Sequence, residues 1–269
     1  MRIRPARVTD HCAIRAVSIA TGQSGVDTGA DLDYLAYLHT AGTLLVALDA
    51  DEQLIGWGAT QSALGASMLT DLFVDPGRQG NGVGSRILRA LWPQESPARF
   101  TFSSQHANAI PLYAKAGLHP TWPLLYLTGP PNFVVDSGLR VTRVSGAAAA
   151  DAERRLTGAE RDAAYEYWTT SRDATGLVID AGDRLVACGA VRRGAITHLA
   201  CASADDALAA VQAALSAIGT RTVSACLPGP HPAVPALLAH GFRIDEYDLA
   251  MSTPAISLPT TWAYSPSLA

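Results

Sequence analysis

From residue 72 to residue 84 the chain reads Leu72-Phe73-Val74-Asp75-Pro76-Gly77-Arg78-Gln79-Gly80-Asn81-Gly82-Val83-Gly84. Four glycines surround the junction of two patterned segments. Leu69 to Val74 is an apolar run of strand length, and Val83, Ile87, Leu88 and Leu91 recur at the spacing of one helix face. A strand must therefore turn through bare backbone into a helix. Glycines at 80, 82 and 84 remove the Cβ atoms that would obstruct a pyrophosphate, and the helix directs its positive end at the same place. The physical implication is a diphosphate-bearing ligand. No Lys-Ser/Thr pair closes the loop as in nucleotide-hydrolysing phosphate loops. The dinucleotide fingerprint would need an acidic residue at the end of the next strand, and it does not fit well.

The rest of the first half supplies a frame for that unit. Arg2 to Val8 reads as a strand, and Thr9-Asp10 supplies an N-cap for a helix carrying Ala13, Ile14, Val17 and Ala20. After a Gly, Ser and Thr rich stretch, Leu32, Leu35 and Leu38 mark a second helix starting near Asp27 to Asp31. Thr43 to Leu48 and Leu54 to Thr60 form a hairpin about Asp49 to Glu52. Arg99 to Ser103 is a strand, a helix runs from about Asn108 to a stop at Gly117, and Thr121 to Thr128 is the last strand. Gly129-Pro130-Pro131 breaks the chain, so the expected units are residues 1–130 and 131–256, followed by a tail, 257–269. The length of 269 residues favours two domains.

Composition excludes several classes. With 48% hydrophobic and 16% charged residues there is ample apolar side chain for real cores. Lys+Arg 20 against Asp+Glu 24 leaves a net charge of −4, which does not indicate a nucleic-acid or anionic-membrane partner. No apolar run is long enough to span a bilayer, and no signal-like segment follows Met1, so a soluble cytoplasmic protein is expected. Cys12, Cys188, Cys201 and Cys226 lack the close pairing of metal or redox motifs, and no metal is expected.

Gln79-Gly80-Asn81-Gly82-Val83-Gly84 resembles the pyrophosphate motif Gln/Arg-x-x-Gly-x-Gly/Ala of the GNAT superfamily of N-acetyltransferases, with the lead-in Val74-Asp75-Pro76. The family's second signature is matched by Asn108-Ala-Ile-Pro-Leu-Tyr-Ala-Lys-Ala-Gly117. The resemblance covers residues 1–128 and implies acetyl-CoA as donor, bound by Leu72, Val74, Arg78, Gln79, Gly80, Asn81, Gly82, Val83, Gly84, Ser85 and Asn108. Leu72 and Val74 would act through their backbone, on a strand that splays from its neighbour. Tyr113 stands where the family places the acid that protonates the leaving thiolate. Asp71 is the first candidate for general base and His106 the second. Asp27, Asp31 and Asp33, with Tyr34 or Tyr37 as aromatic walls, could bound an acceptor site, although simple charge matching at a helix N-terminus is the favoured reading of the aspartates. Asn108 and Arg78 have ordinary alternatives as a helix cap and a solvated arginine.

The second half repeats the pattern. Ile196-Thr197-His198-Leu199-Ala200-Cys201 aligns with Leu69 to Val74, and Pro235 to Gly241 aligns with Pro111 to Gly117. The ten residues after Cys201 contain no glycine, Leu237 falls at the Tyr113 position and Pro232 at the Asn108 position. The interval from Val74 to Asn108 is 34 residues and that from Cys201 to Pro232 is 31, as a shortened phosphate loop would give. The expected fold class is α/β, of the mixed-sheet α+β kind. It comprises two GNAT-like domains, each a mostly antiparallel sheet flanked by helices, the first catalytic and the second degenerate, with the tail packed against the first half. The expected reaction is acetyl transfer to a primary amine, most naturally of a small molecule. The alternatives are a noncatalytic acyl-CoA-binding sensor or scaffold, which would not need Tyr113, and a protein N-acetyltransferase. Oligomeric state is left open.

Overall fold

The computed structural model describes residues 1–25, 27–92, 97–131 and 138–268. The chain forms two compact units. One holds Met1–Phe102, Pro111–His119 and Ser252–Ile256, and the other holds Ser103–Ile110, Pro120–Met251 and Ser257–Ala269.

In the first unit β1 (Arg2–Pro5), β2 (Gly42–Leu48), β3 (Leu54–Ala63), β4 (Ala66–Val74) and β5 (Arg99–Ser103) lie side by side in that order. The pairings are antiparallel as far as β4, and β4 pairs with β5 in parallel. The helices are α1 (His11–Ala20), α2 (Leu32–Ala41), α3 (Val83–Leu91) and α4 (Ala109–Lys115), the last contributing to this unit from Pro111 onward. Two glycines on β3 decide how closely α3 can approach. A Cβ on Gly56 would meet Ile87 and Val83, and one on Gly58 would meet Leu91 and Ile87. The other face of β3 carries Trp57, fully buried and donating to Ser18 Oγ of α1 at 3.0 Å. Thr253, from near the far end of the chain, completes this unit beside β5, its amide donating to Arg99 O at 2.9 Å.

Strand β1 stops at Pro5 rather than reaching Val8, and a short 3-10 turn, Val8–Asp10, follows. The Asp10 side chain does not cap α1 as the sequence suggested. It is gripped by both Arg4 terminal nitrogens, at 2.7 and 2.9 Å, and accepts the Arg7 amide at 2.6 Å. A bidentate charge-assisted pair outcompetes a cap bond for the same oxygens.

The second unit contains β6 (His119–Gly129), β7 (Arg140–Val144), α5 (Gly146–Thr157), α6 (Asp162–Ser171), β8 (Thr175–Ala181), β9 (Arg184–Arg192), β10 (Ala195–Cys201), α7 (Ala204–Ser216), β11 (Val223–Pro228), α8 (Val234–Ala239) and β12 (Arg243–Ser252). Its strand order is β12-β6-β11-β10-β9-β8-β7. Residues 257–268, expected on the first half, belong to this unit, while Ala269 lies outside the described residues.

The repeat is visible residue by residue. On β3/β4 the register runs Gly58↔Leu72, Ala59↔Asp71, Thr60↔Leu69, which leaves Thr70 as a bulge. On β9/β10 it runs Gly189↔Leu199, Ala190↔His198, Val191↔Ile196, which leaves Thr197 as a bulge. The bond from Asp75 N to Ile55 O recurs as Ala202 N to Val186 O, both at 3.0 Å. The two halves are therefore one fold twice, with His198 at the Asp71 position, Leu199 at that of Leu72 and Cys201 at that of Val74.

Candidate active site

Strand β4 is paired unequally on its two sides. Toward β3 the ladder continues to Gly56↔Val74, whereas toward β5 it stops at Leu69↔Thr101, where Thr101 Oγ1 donates to Leu69 O at 2.9 Å. Because Asp75 donates to Ile55, residues 55 and 75 form a hydrogen-bonded pair. In an antiparallel ladder such pairs alternate, so Phe73 and Asp71 also bond to β3, and the N–H and C=O groups of Leu72 and Val74 point the other way. They face the side on which β5 has parted from β4. The Val74 carbonyl accepts from Gln79 Nε2 at 3.1 Å.

Beyond Val74 the chain turns over Pro76–Arg78, where Asp75 accepts the Gly77 amide at 2.9 Å. Gly80 and Gly82 have φ of +77° and +76°, with nothing within 4 Å of where a Cβ would stand. These are backbone conformations that L side chains resist, and they leave the loop surface as bare peptide. Gly82 is the N-cap of α3 and offers no side chain to its first amides, so those donors remain available to an anion. Exposed Asn81 and Ser85 flank the same turn. A Cβ on Gly84 would lie 3.6 Å from Leu112 of α4, which brings the helix carrying Tyr113 alongside the loop. Tyr113 is buried.

On the opposite face of β4, Asp71 is buried and accepts a hydrogen bond from Tyr34 Oη at 2.6 Å. Burial pushes its carboxyl up from the ordinary 3.8 to about 6, although the Tyr34 and Thr70 hydroxyls favour the ionised form. Tyr34 is pushed well above 10 by burial and by the carboxylate beside it. Tyr34 is thus a partner of Asp71 rather than an aromatic wall, and Tyr37 donates to Gln61 Oε1 at 2.9 Å. Asp31 behaves as helix-terminus chemistry requires, accepting the amides of Asp27 and Asp33 at 3.0 Å each. The connection between α1 and α2 is pinned where Gly29 packs on Trp57 and Ser18, leaving no room for a Cβ.

Arg78, on the loop, is exposed and paired with Asp49 at 2.9 Å. Asn108 and His106 fall in the second compact unit, where exposed His106 accepts the Asn108 amide through Nδ1 at 3.3 Å. An open groove of about 600 Å³ lies at the other end of β4, lined by Thr43, Thr60, Ser67 and Ala98. Among the described residues, no group of three or more His, Cys, Asp or Glu side chains is placed to hold a metal ion. Nor is any described helix long and apolar enough to cross a membrane.

The corresponding places in the second unit are built differently. Only two residues separate β10 from helix α7, and Ser203 caps the helix by accepting the Asp206 amide. Asp205 and Asp206 put negative charge on the first turn, where a phosphate would need donors. His198, at the Asp71 position, lies 3.1 Å from Glu153 Oε2. Glu153 also accepts from Arg161 Nε and from Tyr165 Oη, each at 2.8 Å. Burial opposes ionisation of Glu153, but His198, Arg161 and Tyr165 outweigh it and hold the carboxyl at about 2.

Comparisons with known proteins agree with this fold. Residues 32–126 match the family described as Acetyltransferase (GNAT) domain. The chain is similar in structure to a Pyrococcus horikoshii protein described as an acetyltransferase, with a TM-score of 0.72 at 16% identity over 99% of this chain and 92% of that one. A GCN5-related N-acetyltransferase from Sphaerobacter thermophilus gives 0.61 at 15% identity, over 96% and 97% of the two chains. A tandem GNAT protein from the clavulanic acid biosynthesis pathway gives 0.58 at 14%, over 96% and 99%. A search of curated proteins finds no match. Residues 32–126 match a GNAT acetyltransferase domain, a match that supports acyl transfer, and the chain shares its fold with solved GNAT structures, a tandem GNAT protein among them.

Proposed function

We propose that the first unit transfers an acetyl group from acetyl-CoA directly to a primary amine of a small-molecule acceptor. The observation that carries this reading is the open edge of β4. Backbone groups of Leu72 and Val74 face the β4/β5 gap, and the strand runs into the left-handed glycines and uncapped start of α3. One extended molecule can then be held by strand-like hydrogen bonds along its arm and by amides of residues 80–85 at its diphosphate. Arg78, on the loop of the same unit, is a candidate for a further contact with it.

Asp71 takes the proton that an ammonium acceptor must lose before its nitrogen can attack. A carboxyl at about 6 is mostly ionised at neutral pH yet more basic than an ordinary aspartate, a better match to the task. Backbone donors of the open edge hold the thioester oxygen as charge develops on it. The new C–N bond forms as the C–S bond breaks, and Tyr113 supplies the proton that the departing thiolate takes up. The second unit has Ser203, Asp205 and Asp206 in place of the glycine loop and Leu237 in place of the phenol, so it serves as a noncatalytic partner.

The test is release of free coenzyme A thiol across a panel of primary amines, with Tyr113→Phe beside the wild type. The expected result is turnover with at least one amine, falling by roughly 10²-fold or more in the variant while acetyl-CoA affinity stays within about threefold. Equal turnover in both proteins removes Tyr113 from the chemistry. Binding without turnover across the panel favours a sensor.

A further inference from the structure

We infer that the second unit holds a strand-binding cleft, that its ligand is residues 261–264 of this same chain, and that they lie where the first unit would hold the arm of its acyl donor. The placement of the donor rests on the reading just given; the placement of the tail does not. Parallel pairing of β10 with β11 is confined to Ala195↔Ser224. Beyond it the tail enters as an added strand. Leu199 N donates to Ala263 O at 3.0 Å and Ala263 N donates back to Leu199 O at 2.9 Å. Thr261 Oγ1 donates to Cys201 O at 3.3 Å, and on the other side Tyr264 N donates to Cys226 O of β11 at 2.9 Å. Leu199 and Cys201 are the register counterparts of Leu72 and Val74. The backbone groups that the first unit directs at its gap are, in the second, bonded to peptide.

Side chains fix the inserted strand. Trp262 and Tyr264, two residues apart, are buried on either side of Ala263. Trp262 sets its face 5.6 Å from the Arg161 guanidinium and meets His198 edge-on at 5.7 Å, while Tyr264 lies 5.9 Å from Trp122. Arg161 Nη1 donates to Leu268 O at 3.3 Å, and His231 Nε2 donates to Thr261 O at 3.1 Å. Main-chain bonds with pockets for alternate side chains are the pattern of strand addition to an open edge. The cleft therefore recognises an extended aromatic–small–aromatic peptide, and its occupation keeps the second unit from taking an acyl carrier even apart from the altered loop.

A chain ending at Ile256, given a synthetic peptide of residues 257–269, tests this. The expected result is saturable binding of one peptide per chain with a rise in the melting temperature of the second unit, and at least tenfold weaker binding when Ala263 is replaced by proline. A folded truncated chain that melts like the full-length protein and ignores the peptide overturns the inference. If the truncated chain does not fold, hydrogen exchange in the full-length protein decides. Ala263→Pro should speed exchange of the Leu199 amide by at least tenfold, and an unchanged Leu199 rate overturns the inference. Acetyl-CoA titration of the same proteins reports on the first unit alone, so failure of the donor-binding reading would be seen separately.

Discussion

Replacing Asp71 by asparagine should make the protein more stable and less active at the same time, in a pH-dependent way. The carboxyl is buried under α2, and its protonation equilibrium is moved from the ordinary 3.8 to about 6. A raised acid favours the protonated folded state. Its contribution is fully present below about pH 4 and is lost as the pH rises through 6. A shift of roughly two units corresponds to about 3 kcal/mol at ~1.4 kcal/mol per unit. Asparagine keeps an oxygen for the Tyr34 hydroxyl, which bonds Asp71 at 2.6 Å, and cannot ionise. Denaturation of wild type and Asp71→Asn at pH 4, 6 and 8 should therefore show near-equal stability at pH 4 and a variant more stable by up to about 3 kcal/mol at pH 8. In the thiol-release assay at pH 8 the variant should lose roughly 10²-fold or more in kcat. A stability difference independent of pH refutes the burial argument, and unchanged turnover refutes the assignment of Asp71 as base.

Other consequences follow from tight packing and buried charge. Gly29→Ala forces a methyl into Trp57 and Ser18 and should cost about 1–3 kcal/mol in thermal unfolding of the first unit. The counter-result is a melting temperature unchanged within error. Glu153→Gln leaves Arg161 buried without its counter-charge and should destabilise the second unit by about 3–5 kcal/mol at pH 7. Since the Glu153 carboxyl is held at about 2 against an ordinary 4.5, its contribution is present above pH 4.5 and is lost as the pH falls toward 2. Wild type and variant should converge there in acid denaturation, and a constant gap down to pH 2 would count against the ion pair.

The glycine loop could be read in the sequence because a backbone that must stay bare and left-handed admits few other residues, and Gly80 and Gly82 do take positive φ. The repeat could be read as well, since strand patterning recurs even where the glycine loop does not: Ile196 to Cys201 keeps the apolar character of Leu69 to Val74, and the structure keeps even its bulge. The edge on which a strand is left unpaired could not be read from residues alone. That Leu72 and Val74 face a gap depends on where β5 diverges, which side-chain pattern does not encode; the expectation of splaying came from resemblance. Tyr34 and Asp71 are 37 positions apart, and an aspartate inside an apolar strand was the only available signal that a buried donor must exist. The tail misled because its aromatics and prolines suggest a groove without saying which. The Leu199↔Ala263 bridge and the Tyr264–Cys226 bond show that the groove belongs to the second unit.

The account stands on one active copy per chain, and calorimetric titration of acetyl-CoA into the wild type and Gly82→Trp tests it most directly. Gly82 has φ +76° and open space about it, so tryptophan there adds only about 1–2 kcal/mol of local strain and covers the amides proposed to hold the diphosphate. The prediction is one site per chain in the wild type and none in a variant that remains folded by circular dichroism. Two sites per chain, no binding by the wild type, or undiminished binding by Gly82→Trp would contradict it.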